Sequence, residues 1–191
     1  MSACGLHKRG AFFALFHFCF CDKLLLMDMS VFGRIFMLVY TVNNTKKFMS
    51  MLLKENVFDL FEVRSALITT FTAFEIDGKL NKDFFDEENK PDTDYCLWEK
   101  IKPFAFEIIK GKKMPKLIKL VFAAPPSLKN KISPASSVLF LNITFENNAI
   151  TLITGSSMKT FTMDKSAEYL WDEYIDEFLS ENEISVSTQL D

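Results

Sequence analysis

The spacing of apolar and polar positions changes several times along the chain, and each change marks an element. Residues 37–42 (Met-Leu-Val-Tyr-Thr-Val) predict an opening strand. Asn43, Asn44 and Thr45 then offer side-chain caps, and Phe48, Met51, Leu52 and Glu55 recur at helical spacing, with Asn56 at the end. Between residues 58 and 72 β-branched and aromatic side chains dominate. Asp77-Gly78, between Phe74-Glu75-Ile76 and Lys79-Leu80-Asn81, predicts a two-residue hairpin. The polar, acidic, proline-containing stretch 86–94 predicts a solvated loop. Leu97, Trp98, Ile101, Ala105, Ile108 and Ile109 trace a helical face, in which Pro103 starts a second helix or kinks the first and Gly111 is placed as a C-cap. The alternation of Phe104, Phe106 and Ile108 supports a competing strand.

Residues 117–123 read as a short buried strand stopped by Pro125-Pro126, with a Ser, Lys, Asn and Pro-rich connection running to Pro134. Residues 138–145, 150–154 and 159–163 read as three strands joined by turns at Glu146-Asn147-Asn148 and Gly155-Ser156-Ser157. Asp164 is placed to cap a last helix, in which Ala167, Leu170, Trp171, Tyr174, Ile175, Phe178 and Leu179 fit a 3.6 period. Its opposite face carries Asp172, Glu173, Asp176, Glu177 and Glu181 and is expected to be solvated, recognition of a basic partner being the functional alternative. The predicted fold class is therefore α+β: mainly antiparallel sheet with two or three packed helices. Each half gives a helix followed by about three strands, a duplicated plan like one domain of a DNA sliding clamp in element order, by fold-level analogy alone.

With 191 residues and 49% apolar content the chain can bury a core of its own. A net charge of -3 gives no global argument for nucleic acid or an anionic membrane, although a local patch could bind either. The distribution of residue types changes the picture more. His7, His17, Cys4, Cys19, Cys21 and seven of the 21 phenylalanines precede Met37, leaving Cys96 and no histidine from there on. An internal disulfide in the later part is thereby excluded, and a reducing, cytoplasmic setting is expected. Serine-histidine-aspartate chemistry, histidine-ligated zinc and imidazole acid–base catalysis are excluded as well, provided the first 36 residues stand outside the fold.

Those 36 residues open with His7-Lys8-Arg9, continue with an apolar run over 11–21 and meet Asp22-Lys23. A signal peptide would need a small-residue cleavage site, which is missing. A transmembrane helix would need about 20 apolar residues, and Asp22, Lys23 and Asp28 interrupt the run too early. The favoured expectation is a true start at Met37, or at Met27 or Met29, with the upstream residues spurious or a disordered extension, a single domain over 37–183 and a disordered tail over 184–191. Membrane association is expected only if the leader is real.

Three stretches carry a family resemblance: Thr69-Thr70-Phe71 with residues 76–85 (Ile-Asp-Gly-Lys-Leu-Asn-Lys-Asp-Phe-Phe), residues 98–115 containing Ile109-Lys110-Gly111-Lys112-Lys113, and residues 159–166. Over about residues 37–183 the chain resembles an uncharacterised family of Clostridia and related Firmicutes, a domain of unknown function. The resemblance implies a bacterial protein beginning near Met37; it implies no activity.

Lys110, Lys112, Lys113, Lys116 and Lys119 follow a helix end, where ammonium groups can meet phosphate oxygens. The plainer explanation is that the helix dipole favours cations there. Lys159, in Gly155-Ser156-Ser157-Met158-Lys159-Thr160, has a loose likeness to a phosphate loop without its spacing. Asp83, Asp86, Glu87, Glu88, Asp92 and Asp94 supply oxygens for a divalent cation but lack a calcium-loop pattern, and read as solvated. Cys96, without histidine, reads as a small core residue. The leading expectation is a non-enzymatic cytoplasmic binding or interaction protein without metal or cofactor. Its ligand-binding residues would be Lys110, Lys112, Lys113, Lys116 and Lys159, its partner a phosphate-bearing ligand or nucleic acid, or else a protein. The alternative is a carboxylate-based enzyme acting on a phosphorylated substrate, with a divalent metal on Asp83, Asp86 or Glu87 and Lys159 steadying a phosphate.

Overall fold

The computed structural model describes residues 38–111, 113–134, 136–158 and 163–188. The leader 1–36, Lys112, Lys159 and most of the strand expected over 159–163 lie outside the described residues.

The opening strand is β1 (Val39–Val42) and the capped helix is α1 (Thr45–Lys54), where the Asn44 side chain accepts the Lys47 backbone N–H at 3.0 Å. β2 (Glu62–Thr69) turns back through residues 70–72 into β3 (Ala73–Asp77). After the solvated loop, which holds two short 3-10 turns, come α2 (Trp98–Ile109) and β4 (Leu117–Ala123). The competing strand over 104–109 is not formed: α2 is one helix with Pro103 inside it. Then follow α3 (Pro126–Ile132), β5 (Ser136–Glu146), β6 (Ala149–Met158), α4 (Ser166–Glu181) and β7 (Val186–Thr188).

Among the described residues, seven strands make one antiparallel sheet in the order β3-β2-β4-β5-β6-β1-β7. The fold is thus α+β. In place of two equal helix-plus-three-strand halves, α1 is followed by two strands and α2 by three, with α3 set between β4 and β5. Alternation gives the sheet two different faces. One carries Ile68, Ile118, Phe145 and Ile150 in a single register row and forms the core with Phe48, Leu52, Trp98, Trp171 and Ile175 of the helices. The other carries the row Glu75, Leu67, Lys119, Thr144, Thr151, Thr41 and Ser187.

Hydrogen bonds lock the helices to each other. The last four carbonyls of a helix lack partners within it, and the buried Trp98 indole donates to the Leu52 carbonyl of α1 at 2.8 Å. Lys102 donates to the Glu55 carbonyl at 2.8 Å and pairs with Asp59 at 2.5 Å.

Four expectations need correction. Asp77-Gly78 is not a hairpin turn: β3 ends there, and a Cβ on Gly78 would sit 1.7 Å from the Val63 carbonyl oxygen, so the glycine permits a close backbone approach. Gly155-Ser156-Ser157 is not a turn either, because β6 runs straight through it opposite Phe140, Leu139 and Val138. The connection to Pro134 contains α3, with Pro126 in its first turn and Leu128 and Ile132 packed on the core. Residues 186–188, expected in a disordered tail, add β7 beside β1. The Glu146-Asn147-Asn148 turn holds as read, with φ of 51° and 62° at the two asparagines, as a primed hairpin turn requires.

Candidate functional site

The lysine-rich segment does not stay together once folded. Lys110 caps the end of α2 and pairs with Glu107 at 2.9 Å, both side chains being well exposed. Lys119 stands on β4 opposite Leu67 and Thr144, on the sheet face away from the helices. Lys116 donates its backbone N–H to the Thr69 carbonyl at 2.8 Å and is exposed. Of the expected ligand-binding residues that are described, Lys113 alone lines a cleft, together with Gly111, Met114 and Pro115.

That cleft, of about 330 Å³, lies between this segment and α1. Its floor and walls are apolar: Met49 and Leu53 of α1, Ile109, Met114, Pro115, and Phe145 from the core face of β5. Lys46, Lys54 and Lys113 stand around it with Thr45 and Ser50, and no carboxylate among the described residues lines it. The face of α1 that builds it follows from helical geometry. Lys46, Met49, Ser50, Leu53 and Lys54 share one side, while Phe48, Met51 and Leu52 share the opposite, buried side. Lys54 also reaches over the Phe106 ring, 5.9 Å from its centroid. Among the described residues, no carboxylate lies within 4.0 Å of the ammonium of Lys46, Lys54, Lys113 or Lys116. Lys46 and Lys54 were not singled out by sequence; their signal was a second, amphipathic stripe on α1 behind the obvious core stripe.

The acidic groups lie elsewhere. Asp83, Asp86, Glu87 and Glu88 are exposed on the two 3-10 turns and none lines the cleft. Asp94 bonds Lys82 at 2.6 Å, and that bond holds its carboxyl below the usual range. No group of three histidine, cysteine, aspartate or glutamate side chains able to hold a metal occurs among the described residues. Burial pushes the Cys96 thiol up, away from nucleophilic thiolate character.

Two further polar clusters organise the fold. Arg64, the extra residue where β2 bulges against β4, bonds the buried Glu62 at 3.0 Å and stacks 3.5 Å over Tyr95, tying the loop's return to the sheet. Burial raises Glu62, opposed by the Arg64 charge and reinforced by Asp94. On α4, Glu168, Asp172 and Asp176 form a stripe four residues apart against β6 and β1. Ser156 donates to Glu168 at 3.4 Å, Thr154 stands beside Asp172, and Tyr40 donates to Asp176 at 2.8 Å. The expected solvated acidic face is therefore corrected at Asp172, which is only 7% exposed. Burial raises its carboxyl, Asp176 and Glu168 add to the rise, and the Thr154 hydroxyl opposes it.

A sequence profile matches residues 51–187, well over half of the chain. The chain belongs to DUF5721, a family of unknown function. The DUF5721 match takes in most of the sheet and the Ile109 to Pro115 side of the cleft, and starts partway along α1. No curated protein and no solved structure matches the chain. Among the described residues no helix is long and apolar enough to cross a membrane.

Proposed function

We propose that this DUF5721 protein is a non-enzymatic binding protein, and that its cleft takes a phosphate-bearing ligand with an apolar portion. One observation carries the reading: Lys46, Lys54 and Lys113 surround an apolar hollow that, among the described residues, no carboxylate lines. Ammonium groups supply point-charge and hydrogen-bonding partners for phosphate oxygens, and Met49, Leu53, Met114 and Phe145 supply the surface for an alkyl group. A volume near 330 Å³ is at the small end of ligand sites and suits a short chain or one end of a longer one. A bacterial cytoplasmic setting is part of the proposal, supported by the family resemblance and by the lack of a second cysteine after residue 36 to pair with Cys96.

The test is calorimetric titration with octyl phosphate below its micelle concentration. Hydrogen bonds to charged groups are worth about 1.5–3 kcal/mol each, so Lys46→Glu with Lys113→Glu should weaken binding by well over tenfold, while octanol binds poorly to either protein. Equal binding of octyl phosphate by the wild-type and doubly substituted proteins would contradict the reading.

A further inference from the structure

The end of the molecule that holds the cleft also presents apolar side chains to solvent. Phe71, on the β2–β3 turn, is 92% exposed, and Met114, on the cleft rim, is 62% exposed. Register places their neighbours, Phe74 beside Phe71 and Phe145 beside Met114 in the cleft, on one side of the sheet. Phe74 pairs with Ile68, Ile68 with Ile118 and Ile118 with Phe145, the cleft's floor, so Phe74 and Phe145 lie on the same face three strands apart, about 14 Å at the usual strand spacing. The Phe71 ring meets Phe74 edge-on with centroids 5.9 Å apart. The bond from the Lys116 N–H to Thr69 brings the lysine-bearing segment alongside the same turn. Glu146, which neighbours Phe145, alternates to the opposite face, where it pairs with Leu117.

From this juxtaposition we infer that the Phe71 turn and the Met114 rim dock the protein on an anionic phospholipid bilayer. Phe71 and Met114 enter the headgroup boundary, and Lys46, Lys54, Lys113 and Lys116 meet the phosphates. The inference rests on the proposed ligand chemistry of the cleft and names how that ligand is presented. Exposed apolar side chains beside cations that pair with no carboxylate among the described residues are complementary to such a surface, where each basic residue near the plane adds about fivefold to binding. A nucleic-acid surface fits less well. Arg64, the one arginine among the described residues and the side chain best suited to reading base edges, is engaged with Glu62 and Tyr95.

The test is co-sedimentation of the full chain with vesicles of phosphatidylcholine containing or lacking phosphatidylglycerol, beside the octyl phosphate titration and a duplex DNA arm. Binding should require phosphatidylglycerol and fall with salt. Phe71→Ser, which lies outside the cleft, should lose at least about tenfold in vesicle binding and keep wild-type affinity for octyl phosphate. Wild-type protein that binds octyl phosphate but ignores the vesicles, or Phe71→Ser that binds vesicles normally, overturns the docking and leaves the cleft reading standing. Loss of octyl phosphate binding in the wild type overturns the cleft reading itself. Binding of the duplex without binding of vesicles overturns the lipid surface in favour of nucleic acid.

Discussion

Gly78→Ala places one methyl group where the backbone leaves no room. The new Cβ would fall 1.7 Å from the Val63 carbonyl oxygen and 2.6 Å from its carbon, against the roughly 3 Å that non-bonded atoms tolerate. Both neighbours are main chain, so no side chain can swing away, and the strand end must move by more than about 1 Å. That movement strains the bond from Cys96 N–H to the Gly78 carbonyl at 2.8 Å and the bond from Val63 N–H to the Cys96 carbonyl at 2.8 Å. Overpacking costs about 1–3 kcal/mol, and two weakened backbone bonds add about 1 kcal/mol each, for a loss of about 3–5 kcal/mol. Urea unfolding followed by tryptophan fluorescence should show a lower midpoint with an unchanged slope. A loss below about 1 kcal/mol, or a gain of the kind seen when alanine replaces an unconstrained glycine, would refute the close approach.

Trp98→Phe removes the indole donor and leaves the Leu52 carbonyl of α1 without its buried partner, besides opening a void next to Phe122, whose ring centroid lies 5.1 Å away. A loss of about 2–3 kcal/mol in the same unfolding assay is expected, and a loss under 0.5 kcal/mol, as an order-of-magnitude bound, would contradict the capping role. Asp172→Asn tests the buried carboxyl on α4. Because its folded pKa is raised by burial, wild-type Asp172 favours the folded state most below the unfolded carboxylate range, near pH 4, and that contribution is lost as pH rises through the raised value. The asparagine variant should therefore gain stability on wild type at pH 7 and lose that advantage towards pH 4, as read by thermal unfolding across pH. An advantage that is flat or grows towards acid would count against it.

Elements whose signals are local were legible in the chain. Glu146-Asn147-Asn148 specified a turn, Asn44 a helix start, and the Ala167, Trp171, Ile175 and Leu179 stripe a packed helix. Misreadings came where tertiary packing gives a residue a job its type does not announce. Gly78 resembled a turn glycine because the pair Asp-Gly carries no mark of the Val63 backbone pressed against it. Gly155-Ser156-Ser157 looked like punctuation, yet β5 opposite supplies the pairing that draws those residues into β6. At the candidate site, sequence adjacency was a poor guide to spatial clustering. Lys110, Lys113, Lys116 and Lys119 diverge at the end of α2 and along β4, and the cleft is completed by Lys46 and Lys54, which precede Lys113 by 67 and 59 residues. Asp172 was missed for the reverse reason: an acidic stripe reads as solvated until β6 closes over it.

Amide hydrogen exchange with and without octyl phosphate tests the central claim most directly, because it locates the ligand as well as detecting it. Exchange should slow in the first turns of α1 and across residues 109–115 and stay unchanged in the loop over residues 81–94. Slowing confined to that acidic loop, or none in α1, would contradict a cleft built from Lys46, Lys54 and Lys113.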